Sequence, residues 1–120
     1  MPKRAALPDG RAVDDDAIRD LFAGLGPVTI RRMFGGKGIY HQGVVFALLV
    51  GGDILLKADA QTAPAFKAAG ARQWVPAGHR GRGPVAMPYW SIPDHAIDDP
   101  EEVTLWARRA FEAGLRSRKK

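Results

Sequence analysis

Large apolar residues near the start of the chain recur at helical spacing. They fall at i, i+3, i+4 and i+7, along one side of a helix: Ile18, Leu21, Phe22 and Leu25. The aspartates at 14–16 precede this stripe, where carboxylates meet the positive end of a helix dipole. Gly26 and Pro27 are typical of a helix end. The pattern predicts a first helix.

From Val28 to Ala58 the pattern changes to β-rich runs separated by glycines. The runs cover residues 28–34, 38–40, 44–50 and 54–58. Turns this short connect antiparallel neighbours. We interpret the first two runs as one strand bulged at Gly35-Gly36, which gives a three-stranded meander.

Further helix and strand signals follow the meander. An Ala-rich stretch ends at Gly70, and Pro64 within it predicts a second helix that begins near Thr62, because proline fits only the first turn. Residues 73–76 and 85–93 then predict two strands that flank a glycine-rich loop.

The last helix has the clearest start signal. Asp99 fits the cap position, Pro100 the first helical position, and Glu102 completes an Asp-x-x-Glu capping arrangement. The predicted buried stripe comprises Val103, Trp106, Ala107, Ala110 and Phe111.

These elements predict a single α+β domain with the order α-β(3)-α-β(2)-α and an antiparallel sheet packed with helices. The chain has 120 residues, and two halves would each be marginal in size for a core. We expect residues 1–12 to be a flexible lead-in, residues 13–116 to form the domain, and residues 117–120 to be a basic tail.

The formal net charge of +5 is concentrated near the ends of the chain. Six of the 18 basic residues lie there: Lys3, Arg4, Arg116, Arg118, Lys119 and Lys120. The remaining 12 basic residues are balanced by 13 acidic residues, so the body of the chain is nearly neutral. Such charge either keeps a tail solvated or makes weak electrostatic contact with nucleic acid.

The sequence contains few signals that indicate a cellular compartment. The chain has no cysteine and therefore no disulfide or thiolate zinc site, and its first residues lack the apolar core of a signal peptide. The longest apolar run, 44–50, is too short to cross a bilayer. We expect a cytoplasmic protein with no membrane contact.

The residue types that carry catalysis are poorly arranged. His41, His79 and His95 are the only histidines, and their spacing does not favour a metal site. Neither Ser91 nor Ser117 lies in a nucleophile turn. Residues 35–38 lack phosphate-loop spacing. We therefore expect no catalytic residue, metal or cofactor.

Two candidate surfaces remain. Aromatic and arginine side chains favour a protein-binding or self-association patch formed by Arg31, Arg32, Phe34, Tyr89 and Trp90. The alternative is that Tyr89 and Trp90 fill the core against Trp106 and Phe111. The candidate contacts for phosphate or an acidic partner are Arg80, Arg82, Arg116, Arg118, Lys119 and Lys120; the alternative for Arg80 and Arg82 is a solvated hairpin tip.

The segment 31–40, RRMFGGKGIY, resembles the opening signature of the TfoX/Sxy N-terminal domain family. Later blocks resemble the family in the same order: GVVFALLVGGDILLKAD, FKAAGARQW, VAMPYWSIP and DDPEEVTLWARRAF. The likeness covers roughly residues 13–116, and its specificity comes from the order of the blocks.

The resemblance implies the α-β(3)-α-β(2)-α order, similar to secretion-chaperone-like α+β proteins. Full-length members regulate natural competence beside the cyclic-AMP receptor protein, without a known catalytic activity. They carry a second, C-terminal helical domain, whereas this chain ends at Lys120, so we expect a stand-alone N-terminal domain.

The leading hypothesis is a non-enzymatic regulatory module that acts through contacts with an unidentified protein. The alternatives are a weak nucleic-acid-binding accessory protein and, less favoured, a small enzyme with an unrecognised site. A homodimer is a further option, because antiparallel sheets leave edges that can pair.

Overall fold

A computed structural model describes residues 13–33, 35–78 and 83–118 and contains an antiparallel five-stranded sheet with helices. The elements in chain order are α1 (Asp15–Leu21), β1 (Thr29–Met33), β2 (Gly36–His41), β3 (Val44–Val50), β4 (Asp53–Lys57), α2 (Ala63–Ala68), β5 (Tyr89–Ser91) and α3 (Pro100–Arg118). The strands lie side by side in the order β1 to β5, each antiparallel to the next. The predicted α+β class is confirmed.

The N-terminal caps of the outer helices follow the sequence signals, but α1 ends at Leu21, before the stop predicted at Gly26-Pro27, and residues 22–25 form a turn. The Asp14 carboxylate accepts a hydrogen bond from the Ala17 amide at 2.8 Å, and α1 buries Ile18. Asp99 accepts from the Glu101 amide at 3.0 Å at the start of α3. Each side chain satisfies an amide that would otherwise lack a partner.

The expected bulge at Gly35-Gly36 is absent: Gly35 lies in a turn and Gly36 begins β2. Met33 pairs with Gly36, and Gly35 has a φ of +78°, a conformation that glycine adopts without steric cost. Four strands therefore precede α2, where three were expected. The irregularity lies further on, between Ile39 and Tyr40, where Phe46 of β3 is the extra residue.

The region after α2 contains one regular strand, β5, instead of the two predicted. Residues 72–76 and 84–88, here called the edge arm, continue the sheet irregularly beside β5. The Trp74 amide donates to the Tyr89 carbonyl and the Met87 amide to the Trp74 carbonyl, each at 2.9 Å. Pro76, Pro84 and Pro88 lack the amide donor that a regular ladder needs.

The main core lies between the helices and one face of the sheet. Phe22 of the turn after α1 meets Phe46 edge-on at 5.0 Å between ring centroids. Phe66 of α2 lies 4.8 Å from Trp106 of α3. The predicted stripe of α3 is buried except for Phe111, which is half-buried.

Helix α3 approaches the middle of the sheet closely at Gly114. A Cβ atom added there would lie 2.7 Å from the Val44 Cγ1 atom and 2.7 Å from the Val45 carbonyl oxygen. Real Cβ atoms do not come this close, and backbone on β3 cannot yield easily. Glycine at this position therefore sets the distance between the helix and the sheet.

We expect overpacking in Gly114→Ala to cost about 1–3 kcal/mol of the free energy of unfolding. The gain of about 1 kcal/mol that alanine normally brings to a helix offsets part of this cost, so the net loss should reach up to about 2 kcal/mol. The matched control is Gly83→Ala, where an added Cβ would meet no atom within 4 Å. Urea unfolding of both variants measures the difference, and equal stabilities would contradict the close approach.

Candidate interaction surface

The two faces of the sheet have different neighbours. A second apolar cluster, separate from the main core, has Leu48, Leu55 and Tyr89 as its buried centre. Its half-buried margin consists of Met33, Val45, Val50, Trp74 and Met87. Within the described residues no helix contributes to this cluster, so we call this side the helix-free face.

Two cations lie over aromatic rings on the helix-free face. The Arg31 guanidinium carbon lies 5.4 Å from the Tyr40 ring centroid, and Lys57 Nζ lies 5.0 Å from that of Tyr89. Burial lowers the pKa of Lys57 and raises the pKa of Tyr89. The face therefore combines apolar area with positive charge.

The edge arm contributes Trp74 and Met87 to the helix-free face, and two of its other apolar side chains are exposed. Val75 is 49% exposed and Val85 is 52% exposed, and the Val85 amide donates to the Pro76 carbonyl at 3.2 Å. Trp74 packs edge-on against Tyr89, with 6.4 Å between ring centroids. Large exposed apolar side chains beside an aromatic pair are typical of interaction surfaces.

The structure divides the four described residues of the predicted interaction patch between the two faces of the sheet. Tyr89 is buried on the helix-free face, whereas Trp90 is buried on the opposite face and stacks on Phe66 at 6.2 Å between centroids. Adjacent strand residues point to opposite faces, which separates the two. Arg31 and Arg32 are exposed on β1 and are separated in the same way. Phe34 lies outside the described residues.

The predicted cationic contacts are also divided. Arg116 binds Asp59 through Nε at 2.6 Å and Nη2 at 3.1 Å, which connects α3 to the turn before α2. The hydrogen bond from Arg116 lowers the pKa of Asp59 and raises that of Arg116 itself. Arg118 is exposed. The other four, Arg80, Arg82, Lys119 and Lys120, lie outside the described residues.

Sequence reasoning missed Tyr40, Lys57 and the two valines of the edge arm. Strand alternation was the available signal for Tyr40 and Lys57, because each is a polar or aromatic residue within a β-rich run. The exposure of the two valines could not be predicted from strand alternation, because pairing is irregular around Pro76 and Pro84. Their exposure depends on how the arm lies beside β5, which local sequence does not determine.

An open depression of about 660 Å³ lies at the other end of the sheet. Its lining comprises Arg32, Met33, Gly35, Gly36, Lys37, Leu49, Gly51 and Gly52. Lys37 Nζ donates to the Asp15 carboxylate at 2.5 Å, and this bond lowers the pKa of Asp15. The depression therefore lies at the tips of two hairpins, and its Lys37 is bound to α1.

The histidines have structural surroundings where they are described. His41 is buried, donates from Nδ1 to the Pro27 carbonyl at 2.7 Å, and packs edge-on against Phe111. His95 Nε2 lies 3.6 Å from Glu102, at the surface. Among the described residues, no three His, Cys, Asp or Glu side chains are grouped to hold a metal ion.

The fold and its surfaces define a small α+β domain with helices on one side of an antiparallel sheet. The chain belongs to the TfoX N-terminal domain family, whose model matches residues 20–114. A comparison with curated proteins finds no match. The family supports a regulator-like domain and is not a known enzyme family. No described helix is both long and apolar enough to cross a membrane.

The burial of Tyr89 is testable by alkaline titration of tyrosine absorbance, since the chain has two tyrosines. We expect one component to ionise above the ordinary pKa of 10.0, because burial disfavours the charged phenolate. Tyr89→Phe should remove this component, and Tyr40→Phe should keep it. If the late component disappears in Tyr40→Phe instead, the assignment to Tyr89 is wrong.

The ion pair between Asp59 and Arg116 predicts an acid-sensitive contribution to stability. Asp59→Asn keeps an oxygen for the Thr62 and Gln61 amides but removes the charge that Arg116 binds. We expect a loss of about 1 kcal/mol at neutral pH, the upper range for a partly exposed pair. Arg118→Gln is the matched control for loss of an exposed charge.

The sign of the pH dependence follows from the lowered pKa of Asp59. The stabilisation is fully present above the ordinary carboxyl pKa of 3.8 and disappears as the pH falls through the lower folded-state pKa. Urea unfolding of wild type and Asp59→Asn across this range should show a stability gap that narrows with acid. A gap that stays constant or widens would contradict the assignment.

Proposed function

We propose that this chain is a non-enzymatic regulatory module that acts by binding a partner protein through the helix-free face and the edge arm. The single observation that carries the proposal is the exposure of Val75 and Val85 on the edge arm, whose Trp74 packs against Tyr89 of the helix-free face. Exposed apolar side chains can bury more area on binding without refolding.

Charge on this face indicates the chemistry of the partner. Arg31 and Lys57 lie over the rings of Tyr40 and Tyr89 and flank the apolar cluster. A partner surface with apolar residues and nearby carboxylates would complement both properties. Membership of the TfoX N-terminal domain family supports a regulator-like role for such a contact.

Nucleic-acid binding has weaker support among the described residues. Arg116 was a candidate phosphate contact, but its guanidinium donates two hydrogen bonds to Asp59. Arg31 and Lys57 pack on aromatic rings and lie beside apolar side chains. Apolar surroundings suit a protein contact better than a phosphate backbone, which binds mainly through charge and responds steeply to salt.

The proposal is tested by measuring transcript levels in the native host. Deletion of the gene should change transcript levels, and re-expressed wild type should restore them. The double variant Val75→Glu/Val85→Glu should fail to restore them, because two carboxylates would disrupt an apolar contact. The matched control is Leu105→Glu, since Leu105 is 43% exposed on α3, away from the helix-free face.

Thermal unfolding should show that both variant proteins remain folded, because the replaced side chains are exposed. Full restoration by Val75→Glu/Val85→Glu would reject the helix-free face and edge arm as the regulatory surface. Unchanged transcript levels after deletion would reject the regulatory role itself.

A further inference from the structure

A second feature of the sheet is the outer edge of β1. The sheet order is β1 to β5, and the edge beyond β5 is covered by the edge arm through bonds such as that from the Trp74 amide to the Tyr89 carbonyl. No described residue pairs with the outer side of β1. An edge of this kind presents backbone donors and acceptors in strand geometry.

The register shows which backbone groups point outward. Met33 and Gly36 flank the two-residue turn, so this pair directs its backbone groups toward each other. Alternation along β1 then turns the backbone groups of Ile30 and Arg32 away from β2. These two residues supply the amides and carbonyls that an added strand would bind.

The edge carries one arginine on each side of the sheet. Arg31 lies on the helix-free face, where its guanidinium rests on Tyr40 at 5.4 Å from the ring centroid. Arg32 lies on the opposite side and lines the depression, together with Lys37 and Leu49. Both arginines are exposed. A strand added here would meet an arginine on each of its faces, and on the opposite side the Asp15 carboxylate of α1 lies near Arg32 and binds Lys37.

A second copy of this chain fits the edge poorly. The antiparallel register that uses both outward residues, Ile30 and Arg32, would place Arg31 directly opposite Arg31 of the copy. Like charges directly opposite in a strand pair are destabilising. Charge on an edge strand is a common means of preventing self-pairing.

We infer that the outer edge of β1 binds an extended acidic segment of a partner protein by strand addition. Two adjacent acidic residues in the segment would point to opposite faces and reach Arg31 and Arg32 separately. A neighbouring apolar residue would lie beside Met33, at the rim of the depression. The inference rests on the proposed function and adds the chemistry of the partner.

Nucleic acid could supply the negative charge but not the strand geometry. Phosphates accept hydrogen bonds, whereas the outward carbonyls of Ile30 and Arg32 need donors that an extended peptide backbone provides. Binding to the edge should therefore require peptide amides as well as carboxylates.

The test measures fluorescence anisotropy of a short labelled peptide of valine and threonine with two adjacent central glutamates, titrated with the full chain. A peptide with two lysines in place of the glutamates should not bind. Methylation of alternate backbone amides on the edge-facing side should abolish binding. Arg31→Glu and Arg32→Glu should each weaken it about tenfold. Arg108→Glu is the matched control, since Arg108 is exposed on α3.

Amide hydrogen exchange locates the bound peptide. Saturation with the acidic peptide should slow exchange at the Ile30 and Arg32 amides of β1. Any one of three results would overturn the inference. They are equal weakening of peptide binding by Arg108→Glu, equal binding of the methylated peptide, and competition by a labelled DNA duplex for the same arginines. If these amides exchange slowly without peptide because the chain dimerises, the edge binds a second copy and the inference is wrong.

Failure of the inference can be separated from failure of the proposed function. If the acidic peptide does not bind but Val75→Glu/Val85→Glu still abolishes restoration of transcripts, only the role of the β1 edge is wrong. If the peptide binds and that double variant restores transcripts fully, the edge proposal stands and the assignment to the helix-free face fails.

Discussion

The close contact between α3 and the middle of the sheet is the constraint on which the other features depend. Gly114 brings the helix backbone against Val44 and Val45, and small residues such as Ala107 and Ala110 are fully buried along the same helix. Trp106 adds an aromatic contact to Phe66. This packing occupies one face of the sheet, and no described helix covers the opposite face.

Among the described residues, the helix-free face is only partly covered. Leu48 and Leu55 are buried there, but the edge arm that borders them pairs irregularly around prolines. The arm therefore shields Tyr89 while leaving Val75 and Val85 exposed. Cations over aromatic rings complete a surface that is apolar at its centre and positive beside it, and this mixture supports a protein partner over a nucleic acid.

Local signals in the sequence predicted the helices well, because caps such as Asp14 and Asp99 act within one turn. The family resemblance was confirmed as well. The glycines at 35–36 were misread because paired glycines fit a turn as well as a bulge. The placement of Trp90 away from Tyr89 and the ion pair of Arg116 with Asp59 depend on strand register and on contacts between distant segments, which local patterns do not encode.

The central claim is that partners meet the helix-free side of this domain and not its helices. Site-specific photocrosslinking in the native host tests this most directly, with a photoreactive phenylalanine derivative at Tyr40 or at Leu105. The account predicts a discrete protein adduct from position Tyr40 and none from Leu105 on α3. A partner adduct from Leu105 with none from Tyr40 would contradict it.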